Sequence, residues 1–316
     1  MRLVTRSDFD GLVCAMILKE VGLVGKIVND DGESVYDIKF VHPKDVQDGK
    51  IELTENDITT NLPYDSRAGL VFDHHSSELE RLGLSEIPKN FIVEPDAPSA
   101  ARVVYNYYKD TGKLGRITDE LMEAVDKGDS ANFTKEEILD PKGWVLMNFI
   151  MDARTGLGRF HDFRISNYQL MMELIDYCLN HTVEKVLELP DVKERMDLYF
   201  EHQVLFKEQL ERIAKVDGTT VILDLRNEET IYAGNRFMIY AMHPECLYSA
   251  HVAWGFKKQN TAVMIGKSII NKAGNVDIGQ LCLTYGGGGH FNAGTCQLDN
   301  ESVDALLPSI IMTLNN

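Results

Sequence analysis

The sequence has few cysteines, and their arrangement gives no disulfide framework. Five occur in 316 residues, an odd number, and no two lie at the short spacing of a zinc or redox motif. They are Cys14, Cys178, Cys246, Cys282 and Cys296. Structural disulfides belong to oxidising compartments, and unpaired cysteines in apolar surroundings act as small hydrophobic residues. A disulfide-rich secreted domain is therefore excluded, and a reducing compartment is favoured.

Long hydrophobic runs are also absent. No stretch approaches the ~18–20 apolar residues that a membrane-spanning helix requires. The chain opens on a strand-like segment, residues 2–5, rather than on the apolar core of a signal peptide. We therefore expect a cytoplasmic protein that makes no membrane contact.

Positive charge is scarce, with 32 Lys and Arg against 49 Asp and Glu, and the net charge is −17. A processive nuclease needs a broad basic groove, so this class is disfavoured, whereas a short phosphorylated substrate in a local cationic pocket is compatible. Hydrophobic residues make up 44% of the chain, which suffices for globular cores. Because one core rarely exceeds ~250–300 residues, we expect two domains.

Short apolar strands alternate with helical patterns in the first third of the chain, which predicts a parallel α/β sheet. The predicted strands cover residues 3–5, 37–42, 57–62 and 69–72. The predicted helices cover residues 12–21, 99–108, 118–127, 142–153 and 166–180, and Ser99 is the predicted cap of the second. Ligands of parallel sheets bind beyond the carboxyl ends of the strands, and both acidic motifs described below fall there.

The pattern changes in the last third of the chain, where no repeat or low-complexity segment occurs. Residues 191–214 form one long charged helical pattern, and strand-like segments follow Gly218. The predicted fold class is thus α/β, with an N-terminal parallel-sheet domain over residues 1–190. A helical connector over 191–217 joins it to a smaller mixed α/β domain over 218–316.

Two acidic motifs lie at predicted strand ends. Asp8 and Asp10 precede Gly11, and paired carboxylates on such a turn suit Mg²⁺ or Mn²⁺. Asp8 and Asp10 could equally be helix-capping acids on the surface. The second motif, residues 73–75, is an acid followed by His74 and His75, which offer mixed oxygen and nitrogen ligands. Successive side chains diverge, so we expect one histidine to bind metal and the other to face substrate, unless both are capping residues.

Four consecutive glycines, residues 286–289, precede His290. Glycine runs carry a high conformational entropy, and their backbone N–H groups can form an anion-binding nest. The alternative is a plain flexible loop. Arg154, Arg159 and Arg164 lie close in sequence to His161, where they could bind substrate phosphate or form surface ion pairs.

Together these motifs resemble the DHH phosphoesterase superfamily. That superfamily includes RecJ-type exonucleases, nanoRNases, pAp phosphatases, cyclic dinucleotide phosphodiesterases, exopolyphosphatases and family II pyrophosphatases. The glycine motif resembles the DHH-associated C-terminal domain, which points away from the pyrophosphatases. The sequence as a whole is most similar to bacterial exopolyphosphatase-like proteins.

The resemblance implies a Mn²⁺ (or Mg²⁺) site and a role for each motif. It implies metal ligation by Asp8, Asp10, His74 and Asp129, with Asp126 as the weaker alternative to Asp129. It implies substrate contacts by His75, Gly287, Gly288, Gly289 and His290, and Arg154 and Arg159 are candidate substrate-binding residues. It also leaves a homodimer open, since relatives are often dimers.

Two ligand positions depart from the family pattern. The leading His or Asp ligand before Asp8 is absent, with Val4 and Arg6 nearby, and the bridging Asp is replaced by Asn61 or Thr60. Asn61 is kept as a candidate metal-site residue. We therefore hypothesise one firm metal instead of two, with Arg6 supplying the missing positive charge beside Asp8.

The expected function is metal-dependent hydrolysis of a small phosphorylated substrate: a short oligonucleotide, a nucleotide or polyphosphate. The alternative is a nucleotide- or nucleic-acid-binding protein whose catalytic power the altered ligands have weakened. The residues do not distinguish between these substrates, since all present the same phosphate chemistry.

Overall fold

The computed structural model describes residues 1–29, 31–83 and 86–316, without the side chains of Ser76, Ser77 and Glu80. The described chain divides into two compact units. Unit 1 comprises Met1–Asn132, Lys142–Ala153 and His161–Met196, and unit 2 comprises Phe133–Pro141, Arg154–Phe160 and Asp197–Asn316.

Unit 1 is built on a five-stranded, entirely parallel sheet, in the order β4-β1-β5-β6-β7. Its strands are β1 (Arg2–Arg6), β4 (Ile38–Val41), β5 (Asp57–Thr60), β6 (Leu70–Asp73) and β7 (Phe91–Val93). A separate antiparallel pair, β2 (Lys26–Val28) and β3 (Ser34–Tyr36), precedes β4. The strand predicted over residues 37–42 is therefore the fourth in the chain rather than the second. The exposed β2 was missed because it carries little of the alternation that marks a half-buried strand.

Most helices of the described chain belong to unit 1. They are α1 (Phe9–Val21), α2 (Pro43–Gln47), α3 (Ser76–Leu82), α4 (Ala100–Tyr108), α5 (Asp119–Asp129), α7 (Gly143–Met151), α8 (Asn167–Asn180) and α9 (Val183–Leu187). The short α6 (Lys135–Leu139) belongs to unit 2, and α10 (Pro190–Ile213) runs from one unit into the other. The helix α1 is buried almost all round because α4, α5 and α8 pack against it.

Side-chain caps fix where the two helices nearest the strand ends begin. The Asp8 carboxylate accepts a hydrogen bond from the Gly11 N–H (3.0 Å) at the start of α1. A Cβ on Gly11 would lie 1.9 Å from the Arg6 carbonyl oxygen, so only glycine fits this exit from β1. The predicted Ser99 cap is confirmed, since its hydroxyl accepts from the Arg102 N–H (3.0 Å) at the start of α4.

Unit 2 contains a six-stranded mixed sheet, in the order β12-β13-β11-β10-β9-β8. Its strands are β8 (Ala214–Asp217), β9 (Thr220–Asp224), β10 (Tyr248–Trp254), β11 (Thr261–Lys267), β12 (Gly288–His290) and β13 (Ala293–Leu298), and α11 (Met238–Met242), α12 (Ile278–Thr284) and α13 (Val303–Asn315) accompany them. The pair β9–β10 is parallel and the other pairs are antiparallel. Buried apolar side chains such as Val252, Val263 and Ile311 form the core.

The predicted fold class is confirmed: α/β, with a parallel sheet, a helical middle and a mixed C-terminal sheet. The segment predicted as a helical connector is helical to Ile213, and its last four residues form β8. No helix in the described part of the chain has the length and apolar character needed to cross a membrane.

Candidate active site

Polar side chains lie close together where three neighbouring strands of unit 1 end. β1, β5 and β6 lie side by side and parallel, so their carboxyl ends open at one edge of the sheet. Asp10 reaches this edge from the first turn of α1, Asn61 follows β5, and His74 follows β6. Asp129, the last residue of α5, completes the set.

The Asp10 carboxylate is buried and held by three donors. It accepts hydrogen bonds from the Ala101 N–H (2.8 Å), the Ala100 N–H (3.3 Å) and the Asn61 amide (2.7 Å). Burial and the charges of Asp129 and Asp8 nevertheless hold the pKa of Asp10 well above its usual value. Such a carboxylate is fixed in place, and although His74 partly offsets its negative charge, a bound cation would stabilise it further.

His74 is oriented by the backbone. Its Nδ1–H donates to the Ala97 carbonyl oxygen (3.0 Å), and its Nε2 lies 2.9 Å from the Asp129 carboxylate. Burial opposes the charged form, but the Asp129 hydrogen bond and the charges of Asp129 and Asp10 raise the pKa of His74 to about 9. A backbone acceptor on one ring nitrogen leaves the other for a metal, the usual arrangement of a ligating histidine.

Asp10, His74 and Asp129 can hold one metal ion. Each offers a ligand atom, and these atoms all lie within 4.8 Å of one another. Two further buried oxygens at the same edge, Asn61 Oδ1 and Asp73 Oδ2, have no hydrogen-bond partner in the described chain. Buried polar atoms are seldom left unsatisfied. The mixed oxygen and nitrogen donors therefore fit a divalent cation of the Mg²⁺ or Mn²⁺ type.

Asp73 takes part in the site, a role that the sequence had not assigned to it. Its Oδ1 accepts a hydrogen bond from the His75 Nδ1–H (2.7 Å), which turns the other nitrogen of this half-exposed ring away from Asp73. The rings of His74 and His75 are 4.4 Å apart, and Asp73, His74 and His75 form a second group with ligand atoms within 4.8 Å. The two imidazoles thus diverge less than expected.

Arg6 lies against Asp8, one of the predicted metal ligands. Its Nε is 2.7 Å from the Asp8 carboxylate, whose other oxygen caps α1. Asp8 lies outside both candidate metal groups of the described chain, and its role as a ligand stays a prediction. The Arg6 guanidinium supplies a fixed positive charge beside Asp8 without a bound metal ion.

The structure distinguishes between alternatives that the sequence left open. The Thr60 hydroxyl donates to the Thr5 hydroxyl (2.6 Å), whereas Asn61, with a left-handed φ of 53°, bonds to Asp10. Asn61 is therefore the residue at the site.

Asp126 is separate from the candidate metal groups of the described residues. It accepts from the Ser99 hydroxyl (2.7 Å) and the Arg102 Nε (2.8 Å), at the start of α4. Asp126 thus stabilises the start of α4, where the Ala100 and Ala101 N–H groups donate to the Asp10 carboxylate.

The four consecutive glycines, residues 286–289 of unit 2, do not all occupy positions that require glycine. Gly286 has a φ of 74°, which favours glycine. A Cβ on Gly287 would lie 2.2 Å from the Thr295 carbonyl oxygen, and one on Gly289 would lie 2.3 Å from that of Ala293. A Cβ on Gly288 would meet nothing within 4 Å. The fold therefore requires glycine at three of the positions but not at Gly288, whose exposed backbone is open to a ligand.

Two of the residues near Arg159 in the sequence form ion pairs with acidic side chains. In unit 1, Arg164 pairs with Asp191, and His161 Nε2 lies 2.8 Å from Glu194, so these two follow the ion-pair alternative. In unit 2, Arg159 donates to the Ile231 carbonyl oxygen (3.3 Å), and Arg154 is largely exposed. Substrate binding by Arg154 and Arg159 stays a prediction.

Comparisons with solved structures show which known proteins the chain resembles. The chain is 54% identical to a pGpG-specific phosphodiesterase, PggH, from Vibrio cholerae, over 99% of this chain and 98% of that one, with a TM-score of 0.83. It shares its fold at 12% identity with an exopolyphosphatase-related protein from Bacteroides fragilis (99% and 92% covered, TM-score 0.52). The DHH domain of a protein assigned to a family of ribosomal proteins matches at 13% identity (100% and 87% covered, TM-score 0.59). No protein-family model and no curated protein matches the chain.

Proposed function

The chain belongs to the DHH phosphoesterase superfamily and is a phosphoric ester hydrolase, and we propose that its substrate is the linear dinucleotide pGpG. The observation that carries the proposal is the full-length, 54% identity to a pGpG-specific phosphodiesterase, together with a metal-ligand group at the strand ends. We also propose that residues 1–190 act as the DHH domain, 191–217 as the connector and 218–316 as the substrate-binding domain.

We propose that Asp10, His74 and Asp129 hold one Mn²⁺ or Mg²⁺, with the Asn61 amide oxygen beside them. When bound, such an ion would lower the pKa of a water molecule and draw charge from a phosphoryl oxygen. The pairing of Arg6 with Asp8 and the loss of the bridging carboxylate at Asn61 support one ion rather than two.

The protein's own residues then orient the phosphodiester. Arg6 offers a fixed charge to the scissile phosphate, as oxyanion-stabilising groups do. His75, held through Nδ1 by Asp73, presents Nε2 to take a proton from the attacking water and deliver it to the leaving 3′-oxygen. The water oxygen forms the new bond to phosphorus, the P–O3′ bond breaks, and two molecules of guanosine monophosphate result.

Metal affinity should rise with pH. The metal-free His74 has a pKa of about 9, so it is protonated at neutral pH, and a metal must displace that proton. Affinity for Mn²⁺ should therefore increase by about tenfold per pH unit over roughly pH 6–8.5 and flatten above the pKa. Calorimetric titration with Mn²⁺ measures this slope and the stoichiometry, for which we expect one ion per chain. A flat profile, or two fully occupied ions, would contradict the one-metal site.

Gly288 should matter for substrate and not for the fold. Gly288→Ala is expected to leave the melting temperature unchanged within a few degrees, because its Cβ meets open space. It should raise KM for pGpG by about tenfold, by keeping the substrate from the backbone. Gly289→Ala is the matched comparison and should instead destabilise unit 2, because its Cβ would strike β13. Equal KM values for Gly288→Ala and wild type would show that the substrate does not approach the backbone of Gly288.

Substrate choice is tested by turnover rates. Purified protein with Mn²⁺ is assayed against pGpG, pApA, pAp, a cyclic dinucleotide and polyphosphate. We expect pGpG to have the highest kcat/KM, and a faster reaction with pAp or polyphosphate would refute the proposed substrate. The pairing of Arg6 with Asp8 also supports a second candidate, a nucleotide-binding protein without turnover, which binding of pGpG without hydrolysis would identify.

A further inference from the structure

A surface cavity lies beyond the carboxyl end of β7, the strand next to β6 in the sheet of unit 1. Its volume is about 470 Å³, a size that small-molecule sites commonly have. It is lined by residues 94–98, Arg102 and Asn106, all of which belong to unit 1. Pro95 and Pro98 supply apolar walls among polar side chains, a mixture that is typical of ligand sites.

This cavity shares a wall with the candidate metal group. The carbonyl oxygen of Ala97 accepts the hydrogen bond that orients His74 (3.0 Å), and the Glu94 N–H donates to the carbonyl oxygen of Asp73 (3.2 Å). The same loop continues into α4, whose first N–H groups hold Asp10. A nucleotide whose phosphate lies at the metal group can therefore place its base in this cavity without leaving unit 1.

Two half-buried side chains of the cavity form a hydrogen-bonded pair. The Asn106 amide, on α4, donates to Oε2 of Glu94 (2.9 Å) and so holds the carboxylate in place. A carboxylate has about four lone-pair sites and an amide NH2 group has two donors, so both partners keep capacity for a ligand. The pair thus presents one donor, Asn106 Nδ2, followed by two acceptors, Oε2 and Oε1 of Glu94.

The Watson–Crick edge of guanine has the complementary order, an acceptor at O6 followed by donors at N1 and at the 2-amino group. O6 can accept from Asn106 while the two donors bind the Glu94 carboxylate. Adenine presents a donor and then an acceptor on this edge, so donor would meet donor and acceptor would meet acceptor. Buried groups left unpaired in this way reject the wrong ligand strongly.

We propose that Glu94 and Asn106 bind one guanine base of the substrate and determine the preference for guanine over adenine. The inference rests on the proposed function and deepens it. The candidate metal group, Arg6 and His75 face the scissile phosphate, which is the same in every dinucleotide. Discrimination between bases therefore needs separate residues, and the cavity beside β7 supplies them.

The experiment compares pGpG with pApA and with the inosine dinucleotide pIpI, which lacks the 2-amino group. Wild type should show a kcat/KM for pGpG about 10- to 100-fold above that for pApA, with pIpI between them. Glu94→Gln sets an amide donor against the guanine donors. It should raise KM for pGpG by about 10- to 100-fold, alter kcat little and change KM for pApA by less than about twofold. Glu55→Gln, an exposed acid just before β5 at the amino-terminal edge of the same sheet, is the matched control and should behave as wild type.

Calorimetric binding of GMP and AMP to metal-free protein keeps the test independent of turnover. A preference for GMP that Glu94→Gln removes supports the inference even where wild type does not hydrolyse pGpG, an outcome that would refute the proposed function alone. Equal losses on the guanine and adenine compounds, or none on either, would overturn the inference.

Thermal unfolding guards against misfolding of the variant. Glu94→Gln keeps the shape of the side chain and an oxygen acceptor for Asn106, so its melting temperature should stay within a few degrees of wild type. Asn106→Ala provides a second variant, which removes the donor to O6 and should also reduce the preference for GMP over AMP. An Asn106→Ala protein that keeps the full preference would exclude Asn106 from the base site.

Discussion

The Asp10→Asn variant is expected to lose at least about 1,000-fold in kcat for pGpG, because it removes a negatively charged ligand from the candidate metal site. Mn²⁺ should no longer raise its melting temperature. The metal-free variant should be at least as stable as wild type, since burial and the charges of Asp129 and Asp8 disfavour the Asp10 carboxylate. Steady-state kinetics and thermal unfolding, each with and without Mn²⁺, measure both effects.

The matched control for this variant is Asp110→Asn, an exposed acid on the turn after α4. It should leave kcat and the metal-dependent stabilisation unchanged. An Asp10→Asn protein that keeps its activity would place the catalytic metal elsewhere. A variant that fails to fold would show instead that the three hydrogen bonds to Asp10 serve the fold.

The His75→Ala variant is expected to lose about 100- to 1,000-fold in kcat while still binding Mn²⁺ within a few-fold of the wild-type affinity. Its ring is held by Asp73 and stands outside the group of Asp10, His74 and Asp129. The loss should therefore fall on proton transfer rather than on metal binding. Calorimetry with Mn²⁺ and steady-state kinetics on the same preparation separate the two.

His74→Ala provides the comparison for this prediction, because it removes a member of the candidate metal group. It should lose metal affinity and activity together. If His75→Ala also lost the metal, the second group of Asp73, His74 and His75 would be the true site. Asp73→Asn should produce a smaller decrease in kcat than His75→Ala, since it frees the ring without removing it.

The sequence predicted the parallel sheet and the strand ends that carry the site, because both depend on local pattern. Apolar strands such as β6 are followed directly by polar residues, and the Asp8 and Ser99 caps belong to recognisable helix starts. The resemblance also predicted a replacement of the bridging carboxylate by Asn61, with Thr60 as the alternative. The bond from Thr60 to Thr5 excludes that alternative only once the two strands are aligned.

The remaining features depend on which atoms lack partners, and a sequence does not carry this information. The orphaned oxygens of Asn61 and Asp73 become visible only when every neighbour is placed. The same holds for the glycines, since Gly287 and Gly288 look alike in sequence but only Gly287 faces a backbone carbonyl. The sequence also left open whether His161 and Arg164 bind phosphate or form ion pairs, and the ion pairs appear only once Glu194 and Asp191 are placed beside them.

The most direct test is chromatographic separation of the products after metal-free protein is incubated with pGpG, with and without added Mn²⁺. The account predicts conversion to guanosine monophosphate only in the presence of the metal. Recovery of intact pGpG from a metal-loaded protein that nevertheless binds it would contradict the account and identify a nucleotide-binding protein.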